Sequence, residues 1–152
     1  MIIRTTIEGY PGALRQCVDY INDSIKNQLQ SRTYRGANEV RNTLVGDILT
    51  GGRSGRVYRI PGTGASYQAS APGESPANRT GAFRASWNVS AEGGGDGSYK
   101  AEVKSELTVN GYNLGSLLEH GTSKMAPRPY VDKTVEQSKD KVIQIFKEPY
   151  SV

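Results

Sequence analysis

Residues 83–104 read FRASWNVSAEGGGDGSYKAEVK. Phe83, Ala85, Trp87 and Val89 alternate with Arg84, Ser86, Asn88 and Ser90; beyond a glycine-rich break from Glu92 to Gly97, Tyr99, Ala101 and Val103 alternate with Lys100, Glu102 and Lys104. Alternation at period two puts one row on a buried face and the other in water. The stretch therefore predicts two strands joined as an antiparallel hairpin, with Leu107 a candidate extension of the second. The connection is longer than the preferred two-residue turn, so the pattern leaves the register open.

Outward from the hairpin the period changes. Upstream, Leu14, Val18, Ile21, Ile25 and Leu29 recur at spacings of four and three, one stripe of an α-helix in which Cys17 reads as a small buried hydrophobe. A second helical pattern runs through Ala37, Val40, Leu44, Ile48 and Leu49, with Gly51 and Gly52 as its stop. Gly36 lies between the two, which leaves one kinked helix or two joined by a turn. Before them, Ile2, Ile3, Thr5, Thr6 and Ile7 form a β-branched cluster that reads as a short strand, ended by Gly9 to Gly12.

Downstream, Asn110-Gly111 is a turn pair, and Leu114, Leu117 and Leu118 form either a short strand or a helical turn. The last element starts near Pro129 and runs through Val131, Val135, Val142, Ile145 and Phe146 to Pro149, with a wholly polar middle from Glu136 to Lys141. The expected class is α+β: a small antiparallel β-sheet packed against an N-terminal helix, kinked or not, and a C-terminal helix, in one domain over residues 1–152.

The segment of about 51–80 is rich in glycine and proline and nearly free of large aliphatic residues, so it reads as a long loop or arm. From Gly51 to Arg84 it carries Arg53, Arg56, Arg59, Arg79 and Arg84 against the single acid Glu74, a surplus equal to the +4 of the whole 152-residue chain. Such a segment suits a polyanion or an acidic protein surface. Tyr58, Ile60 and Tyr67 add side chains that can anchor it to a neighbour.

One His and one Cys exclude a zinc site built from those residues and any disulfide within the chain. With no signal peptide read at the start, an intracellular, reducing compartment is expected, and no run of residues approaches a membrane span. Pro61 to Ser66 and Gly121 to Lys124 lack the lysine and glycine frame of a phosphate loop. Glu119 and His120 could serve acid-base chemistry, but no nucleophile can be placed beside them, and His120 reads as a turn residue. No cofactor is expected.

Two stretches carry a resemblance. Gly55 to Tyr58, Tyr67 to Ala77 and Thr80 to Ser86 form the first; Leu118 to Tyr130, reading LEHGTSKMAPRPY, is the second. Together, in this order and with a strand-forming segment between them, they resemble the small neck and tail-completion (head-tail joining, minor tail component) proteins of long-tailed double-stranded-DNA bacteriophages. Phe83 and Trp87 stand where smaller aliphatics are usual in that family.

The resemblance implies a non-enzymatic virion protein, assembled in the host cytoplasm into a homo-oligomeric ring, hexameric or alternatively dodecameric, that completes the tail and joins it to the DNA-filled head. The implied partners are other neck, connector and tail-tube or tail-terminator proteins, with non-specific contact to DNA in the lumen and no membrane. Arg53, Arg56, Tyr58, Arg59, Tyr67 and Arg79 are then the expected contacts to a neighbouring subunit or ring. Gly121, Lys124, Pro127, Arg128 and Pro129 form a signature turn in which two prolines restrict the backbone around Arg128 and set the exit of the last helix. Two other classes remain: a sequence-independent DNA-binding protein using the basic arm, and a small hydrolase using Glu119 and His120.

Overall fold

The computed structural model describes residues 11–94 and 97–151. The strand expected at Met1 to Glu8 lies outside the described residues. The chain is α+β. Helix α1 (Pro11–Gly46) is followed by a single 3-10 turn (Ile48–Thr50), and short strands β1 (Val57–Arg59) and β2 (Ser66–Gln68) pair in the arm. One helical turn, α2 (Ala82–Ala85), leads into β3 (Trp87–Gly93) and β4 (Tyr99–Ser105). Strands β5 (Thr108–Val109) and β6 (Tyr112–Asn113) precede α3 (Leu114–His120), and α4 (Val131–Lys147) closes the fold. Among the described residues the β structure is three separate two-stranded antiparallel ribbons rather than one sheet.

The ribbon β3–β4 is the expected hairpin, paired from Trp87 with Ser105 to Gly93 with Tyr99. Along β4 the alternation holds: Tyr99, Ala101 and Val103 are half-buried, while Lys100, Glu102 and Lys104 are exposed. Its start differs from expectation. Phe83 and Ala85 belong to the turn α2, and the strand begins at Trp87. Residues four apart share a side in a helix and in a strand, so the period alone could not distinguish them, and Phe83 reaches the Trp87 ring either way, edge-on at 5.5 Å. Leu107 lies outside β4. Asn110 and Gly111, both at positive φ, make the β5–β6 turn that their sequence predicts.

Helix α1 runs unbroken through Gly36. A Cβ at Gly36 would stand 3.4 Å from Phe146 and 3.6 Å from Val142, ordinary contact distances, so Gly36 lies where α1 faces α4 and marks no kink. The two helices are antiparallel: Glu39 pairs with Lys141 at 2.8 Å, Arg35 with Glu148 at 2.7 Å, and Arg32 donates to the Pro149 carbonyl at 2.7 Å. The α-helix ends at Gly46, ahead of the glycine pair expected to stop it, and the 3-10 turn carries Ile48 and Leu49 into the core.

That core gathers Leu44, Ile48, Leu49, Trp87 and Tyr130, with Val45, Phe83, Val103 and Leu118 packed on it. Phe83, Trp87 and Tyr130 meet edge to face at 5.5 to 5.9 Å, a favoured aromatic geometry. Burial, reinforced by Glu119, pushes the Tyr130 hydroxyl up to about 12. A Cβ at Gly115 would stand 2.7 Å from that hydroxyl, so only glycine fits there.

Two expected apolar stripes are corrected. Val131 and Val135 of α4 are exposed, whereas Thr134 and Ser138 are buried. Their hydroxyls donate to Tyr130 O and Thr134 O, each at 2.7 Å, so small polar side chains pass as core without unpaired groups. On α1 the buried face starts at Arg32 and includes Gly36, Ala37, Thr43 and Leu44, while Leu14, Val18, Ile21 and Ile25 are exposed and Cys17 with them. Residues 12–23 are exposed throughout, and the C-terminal tail reaches the helix only from Ser24 onward.

Candidate interaction surface

The two signature stretches are far apart in the chain and joined in the fold. Arg128 donates from Nε to Ser70 Oγ at 2.7 Å and from Nη2 to Ser70 O at 3.0 Å. Gly73 N–H donates to Pro127 O at 3.1 Å, and Lys133 Nζ to Gly73 O at 2.9 Å. Ser70 and Pro76 are buried as a result. The base of the arm is therefore docked structure rather than a free loop.

Glu74 closes the base. Its carboxylate accepts from the Ser54 hydroxyl and, at 2.7 Å, from Ala71 N–H. The Ser54 hydroxyl first, then the Ala71 amide, hold the carboxyl below the usual carboxylate range. The arm's single acid is thus engaged internally. Gly55 lies so close to Ser70 O that a Cβ would stand 2.5 Å away.

Above this base β1 and β2 project. Tyr58 pairs with Tyr67 across the ribbon and their rings stack at 5.6 Å. Arg56 lies over Tyr58 at 5.5 Å and Arg79 over Tyr67 at 4.9 Å, a cation–π ladder of four expected contact residues. Arg53 donates to Asn78 O at 2.8 Å and bridges the two ends of the arm. Arg59 is exposed near the tip, where Ile60 N–H donates to Ala65 O at 2.9 Å. The surface is cationic and aromatic, suited to phosphates or carboxylates.

The second signature forms the tight turn its residues predict. Gly121 has φ 76°, and a Cβ there would stand 2.6 Å from Met125 O and 2.8 Å from Pro127 N. Thr122 and Met125 bridge across it, and Arg128 N–H donates to Leu118 O at 2.8 Å. Pro129 precedes the helix, which starts at Val131 rather than at the proline. Lys124 stays exposed at the tip. Arg128 faces inward on Ser70.

Comparison with protein-family models, with curated proteins and with solved structures yields no match.

The remaining chemistry is placed by local geometry. Glu119 Oε2 accepts from Tyr130 N–H at 2.9 Å and Val131 N–H at 3.3 Å, so it caps α4, whose own N-cap residue makes no side-chain bond. His120 is exposed, its Nδ1 3.1 Å from Ser116 O. The described residues hold no cluster of three or more metal-ligating side chains and no helix long and apolar enough to cross a membrane.

Sequence reading missed one feature here. A groove of about 510 Å³ opens between the arm base and the segment from β5 to α3, with Leu49, Phe83, Leu107, Val109, Leu114 and Leu118 on its walls and Arg79 and Arg84 beside them. Of the cluster Leu114, Leu117 and Leu118, the first and last line it and are its visible signal in the sequence. Leu49 and Phe83 join it only through tertiary packing.

Proposed function

We propose that this chain is a structural, non-catalytic protein of the virion neck in a long-tailed DNA bacteriophage. It assembles as a ring, hexameric in the favoured form and dodecameric in the alternative, that completes the tail and joins it to the filled head among connector and tail proteins. The observation that carries the reading is the lock between the two resembling stretches. Arg128 and Pro127 of one hold Ser70 and Gly73 of the other, so the residues that prompted the resemblance form one unit. The lock leaves the β1–β2 ribbon projecting as an arm.

Ring assembly requires a heterologous contact, one face of a copy meeting a different face of the next. The test is the solution mass by light scattering over a concentration range, with negative-stain imaging of large species. Closed rings are expected, and a strict monomer at every concentration overturns the reading.

The ladder Arg56, Tyr58, Tyr67 and Arg79, half-buried only at Tyr67, also favours a second reading, sequence-independent DNA binding. Its mark is affinity that falls steeply with salt. Arg53, Arg56 and Arg59 replaced together by Ala should lower DNA retention and leave ring size unchanged; retention equal to the parent's removes the arm from DNA contact.

A further inference from the structure

The groove between the arm base and the segment from β5 to α3 is apolar within and basic at its rim. Phe83, Leu107, Leu114 and Leu118 are half-buried on its walls and Val109 is exposed there, while Tyr67 and Arg79 bring one end of the arm's ladder to its edge and Arg84 stands beside them. Asn78, also on the rim, holds a third guanidinium, that of Arg53, through its carbonyl at 2.8 Å.

Among the described residues no acid lines the groove, and no carboxylate pairs with Arg79 or Arg84. The two acids that adjoin wall residues in the chain are engaged elsewhere: Glu106 pairs with Lys104 at 3.0 Å, and Glu119 caps α4. Arg79 lies over the Tyr67 ring at 4.9 Å, a contact that leaves its N–H donors for a carboxylate. The walls are preformed. Phe83 meets Trp87 and Tyr130 edge-on at 5.5 and 5.8 Å, and Asn113 ties the start of α3 by accepting from Ser116 N–H at 3.0 Å and donating to Ser105 O at 2.9 Å. A seat already in place costs its occupant little ordering.

Size and charge select the occupant. The exposed lining is too small to enclose a helix and suits one projecting side chain with the backbone on either side of it. The groove lies open beside Val109 and Arg79, whereas sites for free small ligands enclose most of the ligand surface, so an apolar group carried by a polypeptide fits it better. Three guanidiniums with no acid among them call for carboxylates next to that group.

We propose that the groove seats one large apolar side chain, aromatic or branched aliphatic, from an extended acidic segment of a partner protein, whose adjoining carboxylates pair with Arg79 and Arg84. This goes beyond the ring reading and does not depend on it.

The probe is the peptide acetyl-Gly-Phe-Asp-Asp-Gly amide carrying para-fluorophenylalanine, titrated with the full chain and followed by fluorine NMR. Saturable broadening of the fluorine signal is expected. Asn in place of both Asp residues of the peptide should weaken binding about three- to tenfold, the range for two exposed ion pairs. Val109→Asp, at a wall position 44% exposed, should weaken binding of the acidic peptide about tenfold or more, because it sets a carboxylate in the apolar seat and against the peptide's own charge. Its melting temperature and ring size should stay at the parent values.

No saturable change at millimolar peptide, a neutral peptide that binds as tightly as the acidic one, or a Val109→Asp chain that binds like the parent overturns the proposal. Decanoate that binds more tightly than the peptide reassigns the groove to free acyl anions and overturns it as well. Loss of peptide binding together with loss of rings in Val109→Asp makes the groove a contact between copies, against an outside partner. A chain monomeric at every concentration that still binds the acidic peptide upholds the groove and overturns the ring.

Discussion

Arg128 turns its guanidinium inward, where Nε and Nη2 both reach Ser70 and Nη1 reaches Ala126 O at 3.3 Å. A planar fork makes these bonds together, and a lysine ammonium cannot. Arg128→Lys should therefore lower stability by about 1.5–3 kcal/mol, the range for hydrogen bonds to a charged group, and speed proteolytic cutting within 69–77. Urea unfolding with limited proteolysis checks both. Glu74 ties the same region to pH. Its folded-state pKa is depressed, so the link it makes is fully present above the ordinary carboxylate value of about 4.3 and is lost as pH falls through the lower folded value. Protection of Ala71 N–H against hydrogen exchange, taken relative to the intrinsic rate at each pH, should fall in that acid window ahead of protection in the β3–β4 ribbon; simultaneous loss would mean that Glu74 does not hold the base separately. Both residues were named from sequence, Arg128 as part of a turn and Glu74 as the arm's lone acid. Their shared role in docking the arm was not legible, because Ser70 and Arg128 are 58 positions apart.

At the scale of elements, α4 illustrates why a stripe on paper differs from a face in the fold. Its valines Val131 and Val135 face water, and the helix buries Thr134 and Ser138 because their hydroxyls bond back within the helix. Hydrophobicity is then a poor guide to the contact side. The N-terminus of α4 depends on Glu119, eleven residues upstream, rather than on a local cap. Glu119→Ala should cost about 0.5–2 kcal/mol, as loss of a cap does, whereas His120→Ala should change the thermal midpoint little. Equal losses from the two substitutions would contradict the assignment of Glu119 as the cap. Gly36 in α1 makes the complementary point. A glycine between two helical patterns is compatible with a hinge, and only tertiary packing sets Gly36 against Val142 and Phe146 of α4.

For the whole molecule, the arm divides into a docked base and a projecting ribbon. Removing residues 57–68, with the base retained, should leave a folded chain of nearly unchanged melting temperature that no longer forms rings of parental size. A chain lacking this ribbon that still closes normal rings would assign the arm to another partner. The α+β class, the β3–β4 hairpin, the Asn110-Gly111 turn and the terminal helix followed from local rules, because alternation, turn chemistry and helical spacing act over a few neighbouring residues. The sequence by itself also determined the regional charge, since five arginines against one acid need no fold to be counted. Tertiary structure alone decided which faces are covered. It buried the 3-10 turn after α1, left the stripe from Leu14 to Ile25 in water, and assembled a groove from residues between Leu49 and Leu118. The physical reason is that an apolar row specifies only a preference for burial, and the row that is buried is the one that long-range packing brings a partner to.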